Sequence, residues 1–172
     1  RPTLPPVEAV RLLAEVGAPI ELLLGDRIYS RNGNPLEVTV GEMLRANHAT
    51  VSVAESATGG MLGERFSSVP GSSEYFAGGF ITYNNAMKIE LLGVPPETLA
   101  EFGAVSNETA EAMATAVRRR TNSTYGIAIT GVAGPATDSA PVGTMYVAVA
   151  DAAGTQVVPR QFLGDRQRIR VF

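Results

Sequence analysis

The sequence predicts an α/β protein, a three-layer α/β/α sandwich built on a mixed, mostly parallel sheet. Three observations carry the prediction. Short apolar runs at residues 49–54 (ATVSVA), 75–83 (YFAGGFITY) and 125–131 (YGIAITG) are bounded by turn-forming residues and read as strands. The stretches between them carry apolar residues at helical spacing, so strands and helices alternate and helices cover both faces of the sheet. Two later runs, 144–150 and 156–162, flank Asp151–Gly154 as a hairpin, which makes the sheet mixed.

In chain order, three prolines open the sequence, and residues 7–16 follow with Val7, Val10, Leu12, Leu13 and Val16 at helical spacing. Gly17 and Pro19 are expected to stop that helix. Residues 20–24 and 28–29 are short apolar pieces, and 31–35 (RNGNP) is a turn or linker that marks a boundary. Residues 36–47 form an amphipathic helix, with Leu36, Val40, Met43 and Leu44 on one face. After the first strand, 56–69 reads as a helix and 70–73 (PGSS) as a turn. The second strand has an irregularity at Gly78–Gly79. Short helices follow at 84–92, ending at Gly93, and at 95–102, ending at Gly103. Ser106 or Asn107 caps a longer helix reaching about Thr121. A Gly/Pro/Ser loop spans 132–142, and 164–172 begins a last helix that is expected to be incomplete at its apolar end.

Composition removes several function classes. At 172 residues, the chain has the length of about one domain. With 45% hydrophobic and 18% charged residues it is not globally disordered. A net charge of −3 gives no electrostatic footprint for direct nucleic-acid binding. No run approaches the ~18 apolar residues of a membrane span, and no leader is expected. There is no Cys, which excludes a thiolate nucleophile and Cys-ligated zinc and fits a reducing cytoplasm, the expected location. A single His, His48, cannot make a His-cluster metal site, so no metal and no cofactor are expected.

The basic residues are thirteen Arg and one Lys, Lys88. Arginine holds its proton at any working pH, whereas a buried lysine can lose it and act as a base. Ser56, directly after a buried strand in Glu55-Ser56-Ala57-Thr58-Gly59-Gly60, lies where ligands collect in α/β sheets. It reads either as a nucleophile beside free N–H groups or as a helix cap. Lys88 follows the next strand, so if the two strands are neighbours it can reach Ser56 and take its proton, with Tyr83 in the same network. Otherwise Lys88 is a solvated helix residue. His48 is at the far end of the first strand, about 20 Å from Ser56 at ~3.3 Å per residue, and reads as a surface turn residue. Thr130-Gly131-Val132-Ala133-Gly134-Pro135 is a second loop past a buried strand, where glycines let backbone approach a ligand or simply turn the chain. In Gly164-Asp165-Arg166 the arginine can fork onto a carboxylate or phosphate, or stand in solvent behind an Asp cap.

Taken in order, these motifs resemble the CinA C-terminal domain family. The resemblance rests on residues 54–60 (AESATGG), 69–73 (VPGSS), 78–85 (GGFITYNN) with Lys88, and 91–94 (LLGV). It continues through 103–106 (GAVS), 129–135 (ITGVAGP), 141–144 (PVGT) and 164–166 (GDR). It implies a deamidase domain over 35–172, with 1–34 the end of a KH-like middle domain or linker. It further implies hydrolysis of the carboxamide of nicotinamide mononucleotide to nicotinate mononucleotide and ammonia, in recycling of NAD.

On that resemblance Ser56, Lys88, Tyr83 and Arg166 are the catalytic residues, and Glu55, Thr58, Gly59, Gly60, Asn84, Thr130, Gly131 and Gly134 bind substrate. N–H groups at the Ser56–Gly60 helix start would hold the oxyanion. A homodimer through the full-length protein is expected, with no nucleic acid and no membrane as partner. Two departures from the family pattern are Ala57, where the family has Cys, and the short loop at 136–140. That loop favours the alternative, a catalytically degenerate binding or regulatory module linked to competence or DNA damage.

Overall fold

The computed structural model describes residues 5–135 and 140–171. Two compact units are present, Arg1–Thr39 and Val40–Phe172. In the first, helix α1 spans Pro6–Leu24 and has no buried residue. It runs through Gly17 and Pro19, where the sequence predicted a stop. Good helix formers, Ile20 to Leu24, follow Pro19 and carry the helix on, and the chain turns only at Gly25, whose φ is +50°.

Helix α2 spans Leu36–Ala46. The second unit continues with β1 (Val51–Glu55), α3 (Met61–Ser67), β2 (Phe76–Ile81) and α4 (Asn85–Met87), which runs on as a π-helical turn, Lys88–Leu92. Helices α5 (Pro96–Phe102) and α6 (Asn107–Thr121) come next. Strands β3 (Tyr125–Gly131), β4 (Thr144–Ala150) and β5 (Thr155–Gln161) and helix α7 (Arg166–Val171) complete it. Ser106 is the α6 cap, its Oγ accepting from Thr109 N at 3.1 Å.

The sheet order is β2-β1-β3-β4-β5. β1 pairs in parallel with both β2 and β3, while β3–β4 and β4–β5 are antiparallel, so four of the five strands point the same way. One core lies between α6 and the sheet, formed by Ala110, Met113, Ala114 and Val117 against Ala54, Ala128, Ala148 and Ala150. The sheet side of this layer is made of small residues because α6 lies close. A Cβ on Gly126 would strike the Ala114 carbonyl and Arg118. On the other face Leu44 and Phe66, from α2 and α3, pack on Val51, Val53 and Tyr75. A third cluster joins Ile169 of α7 to Ala57, Ala133 and Met145.

This topology fixes where a site can form. The chain leaves β1 for β2 on one side and returns to β3 on the other, so the order reverses at the carboxyl end of β1. A crevice opens at such a reversal. Parallel register aligns Glu55 with Ile81 and with Ile129, which brings the segments after all three strands to one edge.

The largest departure from the sequence reading lies here. The helix expected over 56–69 begins only at Met61, and Ser56–Gly60 is a turn. Gly59 (φ +63°) and Gly60 (φ +105°) hold left-handed conformations that no helix residue adopts, so they delay the helix by five residues.

Candidate active site

Ser56 follows β1 and is 7% exposed. Its N–H donates to Ile129 O of β3 at 2.9 Å, so the side chain is aimed by two strands at once. Lys88 lies in the π turn and is 1% exposed. Its Nζ donates to Ser56 Oγ at 3.0 Å and to the Thr82 carbonyl at 2.9 Å. No carboxylate pairs with Lys88 among the described residues. Burial therefore acts unopposed and pulls its pKa from 10.5 down to about 8. A π turn widens the helix by one residue per turn and is often found at functional sites.

Ser56 opens into a cleft of about 320 Å³ lined also by Ala57, Tyr83, Ala104, Val105, residues 131–135 and Arg166. Tyr83 and Arg166, both exposed, meet at its rim, where Arg166 Nη2 donates to Tyr83 Oη at 2.7 Å and Nη1 donates to the Gly134 carbonyl. Five predicted site residues, Ser56, Tyr83, Arg166, Gly131 and Gly134, thus line one space, and Lys88 stands behind it through its bond to Ser56. A larger groove of about 730 Å³ runs between α5, α6 and the π turn, but its polar residues, such as Thr98, Glu108, Glu111 and Arg120, are not buried. The chemistry favours the smaller cleft.

The remaining predicted residues stand elsewhere. Glu55 is 1% exposed, and its carboxylate accepts from the N–H groups of Gly60 (2.9 Å), Leu62 (3.0 Å) and Gly63 (2.7 Å). It anchors the start of α3 and is committed to backbone. That corrects the expected oxyanion site, because the Gly60 N–H is taken by Glu55 and the Gly59 N–H by Ser56 O. Of the turn's N–H groups, those of Ala57 and Thr58 are left without an acceptor among the described residues.

Thr130, 1% exposed, donates to the Ala104 carbonyl at 2.6 Å and so holds the 104–105 wall of the cleft. Asn84 caps α4, accepting from Met87 N at 2.9 Å. Thr58 is 5% exposed, its hydroxyl without a partner among the described residues, and Gly59 faces solvent. His48 is an exposed turn residue with φ +50°. The short loop at 136–140 lies outside the described residues save for Ala140.

Two contributors were not singled out in the sequence. One is the Thr82 carbonyl, the second acceptor for Lys88. The other is Arg170, whose Nε donates to Ala57 O at 3.1 Å and Nη2 to Thr58 O at 2.8 Å. Its signal was available: it stands four residues after Arg166, one turn along the same helix. With the geometry in place, a sequence profile of the CinA C-terminal domain matches residues 33–171.

The chain belongs to the CinA family.

A CinA-like protein of Solibacter usitatus (strain Ellin6076) is 74% identical over 167 residues, covering 96% of this chain and 40% of that protein. A CinA-like protein of Koribacter versatilis (strain Ellin345) is 50% identical over 165 residues, again covering 40% of the relative. The chain thus spans about 40% of the length of these curated relatives. The crystal structure of the competence/damage inducible protein CihA from Agrobacterium tumefaciens has a TM-score of 0.75 at 34% identity, covering 78% of this chain and 84% of that one. The competence damage-inducible protein A (ComA) of Klebsiella pneumoniae gives a TM-score of 0.76 at 28% identity, covering 78% and 85%. Both neighbours are CinA-type α/β folds, in accord with the mixed sheet and two helical layers found here. Among the described residues no helix is long and apolar enough to cross a membrane.

Proposed function

We propose that this CinA chain is an amidase that hydrolyses the carboxamide of nicotinamide mononucleotide by a Ser–Lys mechanism. The reading rests above all on the buried contact of 3.0 Å between Lys88 Nζ and the Oγ of Ser56, a residue that lines an open cleft. A lysine with a pKa of about 8 is neutral in about a tenth of molecules at pH 7, and an amine in that state accepts the hydroxyl proton.

In this mechanism Ser56 Oγ attacks the carboxamide carbon while Lys88 Nζ takes the proton. The carbonyl oxygen becomes an oxyanion, and the N–H groups of Ala57 and Thr58 are the donors available to it. Lys88 then passes its proton to the departing nitrogen, ammonia leaves, and Ser56 holds an ester. Water, deprotonated by Lys88, cleaves the ester and returns Ser56 to its hydroxyl form. Arg166 has donors at the cleft rim that suit a phosphate, and the backbone of Gly131 to Gly134 lets the ribose phosphate approach closely. The choice of a pyridine nucleotide as substrate rests on the family resemblance.

Incubation with nicotinamide mononucleotide and a chelator tests the proposal. Equal amounts of ammonia and nicotinate mononucleotide are expected. Their absence would favour a binding or regulatory module in place of the enzyme.

A further inference from the structure

We infer that Arg170 is a positioning residue for the turn that carries Ser56, an inference that rests on the Ser–Lys amidase reading above. Within the turn one backbone bond closes, from Gly59 N–H to Ser56 O at 3.2 Å, and Ala57 packs against Ile169. Gly59 and Gly60 follow Ser56, Ala57 and Thr58, both glycines have positive φ, and neither has a side chain to pack. Ser56 itself is tied to β3 through its N–H, and Gly60 is tied to Glu55. Between those two anchors, the carbonyls of Ala57 and Thr58 are both held by Arg170.

A trans peptide is planar, with N–H and C=O pointing opposite ways. Fixing the Ala57 carbonyl therefore fixes the direction of the Thr58 N–H, one of the two donors left for an oxyanion. Without Arg170 that peptide is free to rotate, and the donor is lost while the hydroxyl of Ser56 and the amine of Lys88 remain.

The guanidinium suits this task because its planar fork serves two carbonyls at once, whereas an ammonium is a point donor. Arg170 is also well anchored. Its neighbour Ile169 is 1% exposed and packs with Ala57, Ala133 and Met145. One turn earlier, Arg166 engages Tyr83 and the Gly134 carbonyl. Helix α7 thus puts one arginine on the cleft rim and a second on the nucleophile's turn. Arg170 touches no reacting atom and acts through the backbone of residues 57 and 58.

The experiment compares the parent chain with Arg170→Met, Arg170→Lys and Ile169→Ala. Two readouts are taken: steady-state kinetics on nicotinamide mononucleotide, and the rate at which a fluorophosphonate probe labels Ser56. Arg170→Met should lower kcat about 100-fold, the scale of losing one oxyanion donor, with KM held within about threefold. Labelling should slow in parallel, since the phosphonyl oxygen uses the same donors. Arg170→Lys should recover at least about tenfold of the loss, because one donor and the charge remain. Ile169→Ala loosens α7 without removing the guanidinium, so it should raise KM through Arg166.

Parental kcat and labelling in Arg170→Met would overturn the inference. So would a rise in KM with kcat held, matching Ile169→Ala, which marks a merely structural role. If the parent labels at Ser56 yet releases no ammonia, and Arg170→Met still slows labelling, the inference holds and the substrate reading fails. If the parent neither labels nor turns over, the Ser–Lys reading falls and this inference with it.

Discussion

Replacing Lys88 by methionine should make the protein more stable at neutral pH and less stable at alkaline pH. The sign follows from linkage. Burial lowers the folded-state pKa to about 8 from the ordinary 10.5. Below pH 8 both folded and unfolded chains hold the proton, and the folded state bears the full cost of a buried ammonium. Between about 8 and 10.5 the unfolded chain binds more protons, so stability rises with pH. At 1.36 kcal/mol per unit, the cost at pH 7 is about 3 kcal/mol. It shrinks to about 1 kcal/mol at pH 10, where the folded amine is neutral. Methionine removes the charge at similar volume but orphans two acceptors, Ser56 Oγ and Thr82 O, at about 1 kcal/mol each. The variant should therefore gain about 1 kcal/mol at pH 7 and lose about 1 kcal/mol at pH 10. Urea denaturation followed by far-ultraviolet circular dichroism, on parent and variant at both pH values, reads the difference and cancels groups common to both. A stability difference that stays constant from pH 7 to 10 would refute the reasoning, because Lys88 would then titrate like any exposed lysine.

Three other outcomes follow from the same geometry. Ser56→Ala should abolish ammonia release while costing about 1 kcal/mol of stability, the scale of its one hydrogen bond to Lys88; turnover within threefold of the parent would remove Ser56 as nucleophile. Glu55→Gln should destabilise the fold by about 2 kcal/mol, since an amide cannot accept from three backbone N–H groups as a carboxylate does, and thermal melts would show no shift if Glu55 were instead reserved for substrate. Thr130→Val should free the Ala104 carbonyl and raise KM several-fold with little change in kcat, on the scale of about 1 kcal/mol for one lost bond, whereas equal falls in kcat and kcat/KM would place Thr130 in the chemistry itself.

The sequence was most legible where periodicity and burial agree. β3 falls at Tyr125–Gly131 and β4 at Thr144–Ala150, the expected residues, because a β-rich run bounded by turn residues has few alternatives. The α6 cap was legible to within one residue: Ser106 or Asn107 was expected, and Ser106 takes the place. Legibility failed where a local rule met a competing one. Pro19 is a helix breaker, yet α1 absorbs it. Residues 56–60 sit ahead of an amphipathic pattern, yet two left-handed glycines make them a turn. At the site, chain order was enough to bring Ser56, Lys88, Tyr83 and Arg166 together, since each follows the end of a strand at the same edge. The sequence did not reveal which side chains serve the backbone. Glu55 and Thr130 are polar, adjacent to the cleft and spent on N–H and C=O partners, a distinction set by burial and peptide direction. Arg170 went unseen for the converse reason: its role lies in two carbonyls 112 and 113 residues away.

The central claim is that Lys88 is the base for Ser56, and the kcat of Lys88→Arg across pH tests it most directly. Arginine keeps the positive charge but cannot give up its proton at any pH the protein survives. A general base is worth about 10²–10⁴-fold, so the variant should lose at least about a hundredfold in kcat. The parent's rate should climb about tenfold per pH unit below 8 and level off above it, following the fraction of neutral lysine. A Lys88→Arg variant with near-parental kcat and the parent's pH profile would show that positive charge alone suffices, and the mechanism would be wrong.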